Sequence, residues 1–412
     1  MNVAVSTHAW LPVGGGRLVM AKAVETFMSA GCDVSIASTF KFDRQEFLKL
    51  YSVNLSNIRH YSLPLGMPKL FGIYQRLLSS IPLKEAIKEE RPDIVFTDNE
   101  LHKPIIQLKG RYGFKLVEYI HFPFRLIELI YSRKRKVSES FSEDVRSAAE
   151  VYIRDAELYH KKYEKGLWRL YFKVWLNFYK GVSRENPFEN DDLVVVNSKY
   201  IARLVELLWH CEPIVLHPPV NVRDLLPYAS KQFDERDEKV VMLARLTPEK
   251  RFETVIEAIA MSDCKPTLRI VGGATVTSYP YVERLKRLCE KMKIRAEFHI
   301  NTARSEVVKL LTNSKIFVHT CVGEHFGIAV VEGMAAGLPV IVNKSGGPYE
   351  DIIDYGNYGK YYTTVRELAE EIDDFILNPD EWKTYHVRST TRAPIFSEEE
   401  FSRRLLKLVK SV

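Results

Sequence analysis

Apolar residues in this chain fall into short runs separated by stretches of helical period. Residues 2–6 are apolar and β-branched and predict a first strand. A glycine loop follows, then helical spacing over 18–30 that stops at Gly31, then a second strand at 33–37. Residues 92–97, 115–121 and 192–197 predict three more strands. Ser198 is placed to cap a helix running through 208. A second series opens at 239–244. It continues as helix 252–261, strand 267–271, helix 282–291, strand 296–300, helix 305–311 and strand 316–319. A small-residue apolar helix around Glu332 comes next, stopped by Gly337-Leu338-Pro339 before a strand at 340–342.

Strands alternating with helices, twice over, predict an α/β protein with two Rossmann-like, doubly wound parallel-sheet domains facing a cleft. Ligands of such sheets sit at the carboxyl ends of the strands, so one domain can hold a donor and the other an acceptor. The proline-rich stretch Leu216-His-Pro-Pro-Val-Asn-Val and the polar residues 230–238 mark a boundary. The expected organisation is an N-terminal domain over 1–215, a linker over 216–238, a C-terminal domain over 239–390 and a closing helix within 391–412. A capping-box pattern at Ser397 and Glu400 opens that helix.

A length of 412 residues suits two domains, and 46% hydrophobic with 27% charged residues describes a globular chain. A net charge of +6 permits an anionic partner, but nothing in the sequence points to nucleic acid. Five scattered cysteines without a CxxC pair read as reduced thiols. The first residues lack the basic and apolar regions of a signal peptide, and no uncharged apolar run approaches the ~20 residues of a membrane span. The expected location is the cytoplasm.

Candidate chemistry concentrates where strands end. Glu324 and Glu332 are separated by seven residues, with Phe326 and Gly327 between them. A carboxylate on a buried helix is costly unless a ligand or partner needs it. Gly327, Ile328 and Ala329 fall at the start of that helix, where amide N–H groups attract phosphate. Arg245 and Lys250 follow strand 239–244 and fit a diphosphate, the arginine as a fork and the lysine as a point charge. Solvated surface cations and a structural ion pair are the plain alternatives. Carboxylates beside a phosphate site make sense as acceptors for sugar hydroxyls, with a ribose on one side and a transferred hexose on the other. Gly14, Gly15 and Gly16 allow close backbone approach or form a simple turn. His121 ends a strand, positioned for a site or packed as a structural histidine. Asn197-Ser198 and Ser345-Gly346-Gly347-Pro348 also lie at strand ends, as caps and turns or as part of the site.

Taken in order, Gly14-Gly15-Gly16, Tyr119-Ile-His121-Phe-Pro, Val196-Asn-Ser198-Lys, Pro218-Pro-Val-Asn, Arg245-Leu-Thr-Pro-Glu-Lys250, Ile270-Val-Gly-Gly, Glu324 to Glu332, and Ser345-Gly-Gly-Pro with Glu350 resemble the family-4 retaining glycosyltransferases of GT-B fold. The resemblance implies that Arg245, Lys250 and the amides at Gly327 to Ala329 hold the donor diphosphate, with Phe326 beside them. It implies that Glu324 meets the transferred sugar and Glu332 the nucleotide ribose. The glycine loop would close on the donor, His121 would lie near the reacting sugar, and the final helix would cross back onto the N-terminal domain. Val318-His-Thr, Glu324-His-Phe-Gly-Ile-Ala-Val-Val-Glu332 and Asn343-Lys-Ser-Gly-Gly-Pro are similar to mannosyltransferases that extend lipid-linked oligosaccharides. That similarity implies GDP-mannose as donor and a polyprenyl-linked glycan as acceptor. Asn301 stands where the family often has glycine, and the loop Ser132-Arg-Lys-Arg-Lys136 is unusually basic.

No Asp-x-Asp motif is present, and no metal or other cofactor is expected, because cations and amides already serve the phosphates. Residues 161–180 interleave aromatic and basic side chains. They suit either peripheral contact with an anionic membrane or an ordinary core helix. Two rival functions stand beside the leading one: a soluble UDP-sugar-dependent transferase with a small acceptor, and a non-catalytic protein that binds sugar nucleotides.

Overall fold

The computed structural model describes residues 1–11, 14–64, 74–99, 103–126, 166–183 and 186–412. The basic loop at 132–136, Pro12, Val13 and residues 161–165 lie outside them. The chain divides into two compact units. Among the described residues the first comprises those up to Pro219 together with Glu398–Val412, and the second is Val220–Ser397.

The first unit runs β1 (Asn2–Ser6), α1 (Gly15–Ser29), β2 (Asp33–Phe40), α2 (Arg44–Tyr51), β3 (Arg59–Leu63), α3 (Ser80–Glu90), β4 (Ile94–Thr97), α4 (Lys103–Tyr112), β5 (Lys115–Ile120), α5 (Gly166–Val182), β6 (Leu193–Val196), α6 (Lys199–Trp209) and β7 (Ile214–Val215). Its sheet has the order β3-β2-β1-β4-β5-β6-β7, every pair parallel. Val5, Phe96, Val117 and Val195 are wholly buried, because helices cover both faces and the inner strands need apolar residues on both. Ser198 caps α6 as expected, its Oγ accepting from the Ile201 amide at 3.1 Å.

In the second unit β8 (Lys239–Leu243), α7 (Phe252–Met261), β9 (Thr267–Gly272), α8 (Tyr279–Met292), β10 (Ala296–Ile300), α9 (Arg304–Thr312), β11 (Ile316–His319), α10 (Ile328–Ala335), β12 (Val340–Asn343), β13 (Lys360–Tyr362), α11 (Val365–Leu377) and α12 (Pro379–Arg392) follow in turn. The order β10-β9-β8-β11-β12-β13 repeats the doubly wound pattern, again all parallel. Asn301 adopts φ 54°, the left-handed region where a glycine is expected. Its side chain offsets the strain by accepting from the Ala274 amide at 2.9 Å and donating to the Ala274 carbonyl at 3.1 Å.

Two boundaries differ from expectation. Residues 216–238 are not a free linker: the break falls after Pro219, and Val220, Val222 and Leu225 are buried in the second unit's core. Arg236 is also buried, and its guanidinium donates to the carbonyls of Thr312 at 3.1 Å and Ala336 at 3.0 Å. It thereby serves the carbonyl-rich ends of α9 and α10. Burial pulls its pKa down to about 10. The second difference concerns 391–412. Ala393 and Phe396 remain in the second unit's core, and only α13 (Glu398–Val409) joins the first. There Phe401, Leu405 and Val409 complete the core around Val19, Ala23 and Phe27. Thr26 and Ser402 hydroxyls meet at 2.7 Å, and Lys22 pairs with Glu398 at 3.1 Å.

Helix α5 is apolar on two sides. Phe172, Trp175 and Tyr179 are buried, while Leu167, Leu170, Val174 and Phe178 form an exposed row at helical spacing beside the exposed Arg169 and Lys173. Among the described residues no helix is long and apolar enough to cross a membrane.

Candidate active site

In the second unit, β8 and β11 are neighbours where the strand order reverses, so the loops after them share one edge of the sheet. Lys250 comes from the turn Pro248–Lys250 after β8, and Glu324 from the loop after β11. The Lys250 ammonium contacts Glu324 Oε2, and His319 Nε2 lies 3.3 Å from the same oxygen. The hydroxyl of Thr320 donates to the carbonyls of Lys250 at 2.7 Å and Arg251 at 3.0 Å, tying the two loops together. Burial alone would favour neutral Glu324, but the Lys250 charge and His319 outweigh it and hold the carboxyl well below its usual range. Burial likewise opposes the Lys250 ammonium, and Glu324 outweighs it, so that pKa is raised. His319, Cys321 and Glu324 bring one ligand-type atom each within 4.8 Å of one another. Lys250 already balances the carboxylate there.

Glu332 sits on the second turn of α10, half-buried. Arg304, the first residue of α9, contacts Glu332 Oε1. The same guanidinium grips Asp224 with two bonds, Nε to Oδ2 at 2.8 Å and Nη2 to Oδ1 at 3.0 Å. Burial raises the Glu332 pKa, Arg304 opposes that, and Asp224 adds to it.

Gly327, at φ 102°, begins α10, and a Cβ there would meet Pro348 Cγ at 2.8 Å. The amides of Ile328 and Ala329 open the helix and have no carbonyl one turn back. The glutamate loop is braced from the next strand: Gly347 donates to the Glu324 carbonyl at 2.8 Å, and Ser345 Oγ accepts from the Gly323 amide at 3.0 Å. The ring of Phe326 is buried against Phe396 at 5.5 Å and belongs to the core. Arg245 is the opposite case, with a side chain 65% exposed and a loose 3.7 Å pairing to Glu249.

The first unit gathers histidines, a carboxylate and an amide at the same place in its sheet. Gly14 precedes α1, and Gly15 and Gly16 open it. A Cβ on Gly16 would come within 3.0 Å of His121 Nε2, so the glycine lets the helix approach the imidazole. His121 Nε2 lies 3.5 Å from Asp98 Oδ2, which also accepts from Thr7 Oγ1 at 3.1 Å. Asn197 Nδ2 donates to the His121 carbonyl at 3.0 Å. Burial opposes ionised Asp98, but His121, His8 and Arg76 prevail and lower its pKa. Burial, reinforced by Arg76, holds His8 well below its ordinary value. Asn99 is buried with neither amide atom hydrogen-bonded among the described residues.

Asp98, Asp224 and Arg304 were not singled out by motif, and His319 only as part of one. Asp98 and Arg304 come one and four residues after a strand, so inspecting every polar residue at a strand end finds them. Asp224 carries no such signal.

Comparison with known proteins places these clusters in context. The family model described as Glycosyltransferase Family 4 matches residues 13–224, and that of Glycosyl transferases group 1 matches 228–390. A Dictyostelium discoideum protein named GDP-Man:Man(3)GlcNAc(2)-PP-Dol alpha-1,2-mannosyltransferase is 27% identical over 83% of the chain and 68% of its own length. A human protein of the same name is 31% identical over 54% of the chain and 49% of its own length. Among solved structures, sucrose-phosphate synthase from Thermosynechococcus elongatus superposes with TM-score 0.68 at 16% identity, covering 100% of this chain and 98% of that one. Anabaena HepE in complex with UDP and glucose gives 0.66 at 16%, covering 100% of both. At such identity these two likenesses speak for the fold alone.

Proposed function

The chain belongs to glycosyltransferase family 4, a retaining family of GT-B fold, and we propose that it moves mannose from GDP-mannose onto a polyprenyl-diphosphate-linked glycan. The observation that carries this reading is Glu324, held ionised by Lys250 at the sheet edge, in a chain whose relatives bear the name of a GDP-mannose-dependent transferase. Arg245, Lys250 and the opening amides of α10, at Gly327, Ile328 and Ala329, take the donor diphosphate. As the bond from sugar C1 to phosphate breaks, negative charge grows on the leaving diphosphate, and these groups serve to stabilise it. The acceptor hydroxyl oxygen bonds to C1, and its proton passes to the departing phosphate. Glu324 orients the sugar, Glu332 the ribose. Gly14, Gly15, Gly16 and His121 serve the sugar from the first unit. No metal is required in this scheme.

Acceptors of this class are membrane-bound, and the exposed row Leu167, Leu170, Val174 and Phe178 beside Arg169 and Lys173 suits a shallow seat on the anionic cytoplasmic face of a membrane. Flotation with anionic vesicles checks this: replacing those four residues by serine should abolish co-flotation.

The test of the function is transfer of radiolabelled mannose from GDP-mannose to a lipid extract, alongside thermal shift with candidate donors. A melting-temperature rise with GDP-mannose and a labelled lipid product are expected. A rise with UDP-glucose alone, the nucleotide class bound by the Anabaena neighbour, would replace this reading with the UDP-sugar one. Binding without transfer to any acceptor would leave a sugar-nucleotide-binding protein.

A further inference from the structure

We propose that Arg304 and Asp224 form a clamp that sets Glu332 for recognition of the nucleotide ribose. They would thus be positioning residues that decide ribose discrimination. The inference rests on the reading above, in which Glu332 meets the ribose.

Glu332 stands in an apolar helix, and burial pushes its carboxyl toward the neutral acid. A neutral acid is a poorer acceptor for two ribose hydroxyls than a carboxylate. Arg304 supplies the opposing charge, contacting Oε1 alone. The rest of its fork is spent on Asp224, at 2.8 and 3.0 Å. A bidentate arginine–carboxylate pair has a defined plane, so Asp224 fixes where the guanidinium points. The three residues come from separate elements: the stretch after the unit boundary, the start of α9 and the second turn of α10. Val222 and Leu225, on either side of Asp224, are buried and hold it in place. Arg304 thus counters the neutral form of Glu332 and fixes its direction, as one of a pair that need not touch the ligand.

The experiment is calorimetric titration of the full chain with GDP, 2′-deoxy-GDP and 3′-deoxy-GDP, with the UDP series in parallel. The wild type should prefer the ribonucleotide by about tenfold or more, the scale of one charge-assisted hydrogen bond. Arg304→Met should bring that ratio close to one, Arg304→Lys should restore part of it, and Asp224→Asn should fall between Arg304→Lys and wild type. A purely structural triad would lower the melting temperature and leave the ratio intact; that result in any folded variant overturns the inference. If Arg304→Met does not fold, the lysine and Asp224 variants decide the matter. A wild type that binds neither nucleotide overturns the donor reading and this inference with it. A wild type that binds either one with an unchanged ratio across the variants overturns this inference alone.

Discussion

The two units share one doubly wound strand order, to which the first adds β7, and place polar residues at the same point of the sheet, yet they fill that point differently. The second unit uses charges in opposed sets: Lys250 with Glu324 and His319, and Arg304 with Glu332 and Asp224. The first uses imidazoles, an amide and a carboxylate, His8, His121, Asn99 and Asp98, near Arg76, and among the described residues neither Asn99 amide atom has a hydrogen-bond partner. Paired charges suit a ligand that is itself ionic, because they are oriented before it arrives and are costly to reorganise. Amide and imidazole groups suit hydroxyls, which donate and accept with little desolvation cost. A shared fold therefore positions the ligand, and only the strand-end residues decide what it is.

The sharpest break of this contrast is Glu324→Gln. Transfer should fall by about 10³-fold with the fold retained, measured as kcat beside circular dichroism. The same variant tests the acid response. Ionised Glu324 contributes stability in full above the ordinary carboxyl value of 4.5, and that contribution is lost as pH falls through the depressed folded value. Glu332, whose folded value is raised, behaves oppositely, favouring the fold at low pH and losing that contribution as pH rises through its folded value. Glu324→Gln should flatten the acid limb of melting temperature against pH, and Glu332→Gln the limb above 4.5.

Next in size, Phe401→Ala should cost about 3–5 kcal/mol, read by urea unfolding. Hydrogen exchange should rise in α1 and not in α10 if the cores are as separate as their clusters. Lys250→Met should cost about 3 kcal/mol at pH 7, because it strands a mostly buried carboxylate, and less as the pH is lowered. In the first unit, Gly16→Ala should cost only about 1 kcal/mol by thermal melting, since the His121 ring can shift to admit a methyl group. Dialysis against EDTA should change transfer not at all; a loss restored by a divalent cation would assign His319, Cys321 and Glu324 a metal role instead.

Much of the fold is legible in the sequence because inner parallel strands are apolar on both faces. Residues 239–243 and 316–319 need no tertiary knowledge. The edge strands Arg59–Leu63 and Lys360–Tyr362 escape that criterion, for an edge tolerates arginine, histidine and lysine. Helix Pro379–Arg392 escapes it too, its apolar side being diluted by charged and hydroxyl residues. At the site, Arg245, Lys250, Glu324 and Glu332 are visible from motif spacing, whereas their partners are fixed by folding. Asp224 and Arg304 are 80 residues apart, and nothing local announces the pair. Residues 216–238 misled for a related reason: proline and polar residues signal a boundary, but a buried Arg236 bonded to carbonyls carries the same letters as a solvated one.

Helix α13 follows the entire second unit along the chain yet completes the core of the first. During synthesis the first unit must therefore wait, its face of α1 around Val19, Ala23 and Phe27 lacking Phe401, Leu405 and Val409, while the whole second unit is made. A nascent chain holds that apolar surface open for as long as the ribosome needs to add those residues, at ≈ 5–20 residues each second. Chaperone dependence should accordingly concentrate on the half of the protein that is translated first and finished last.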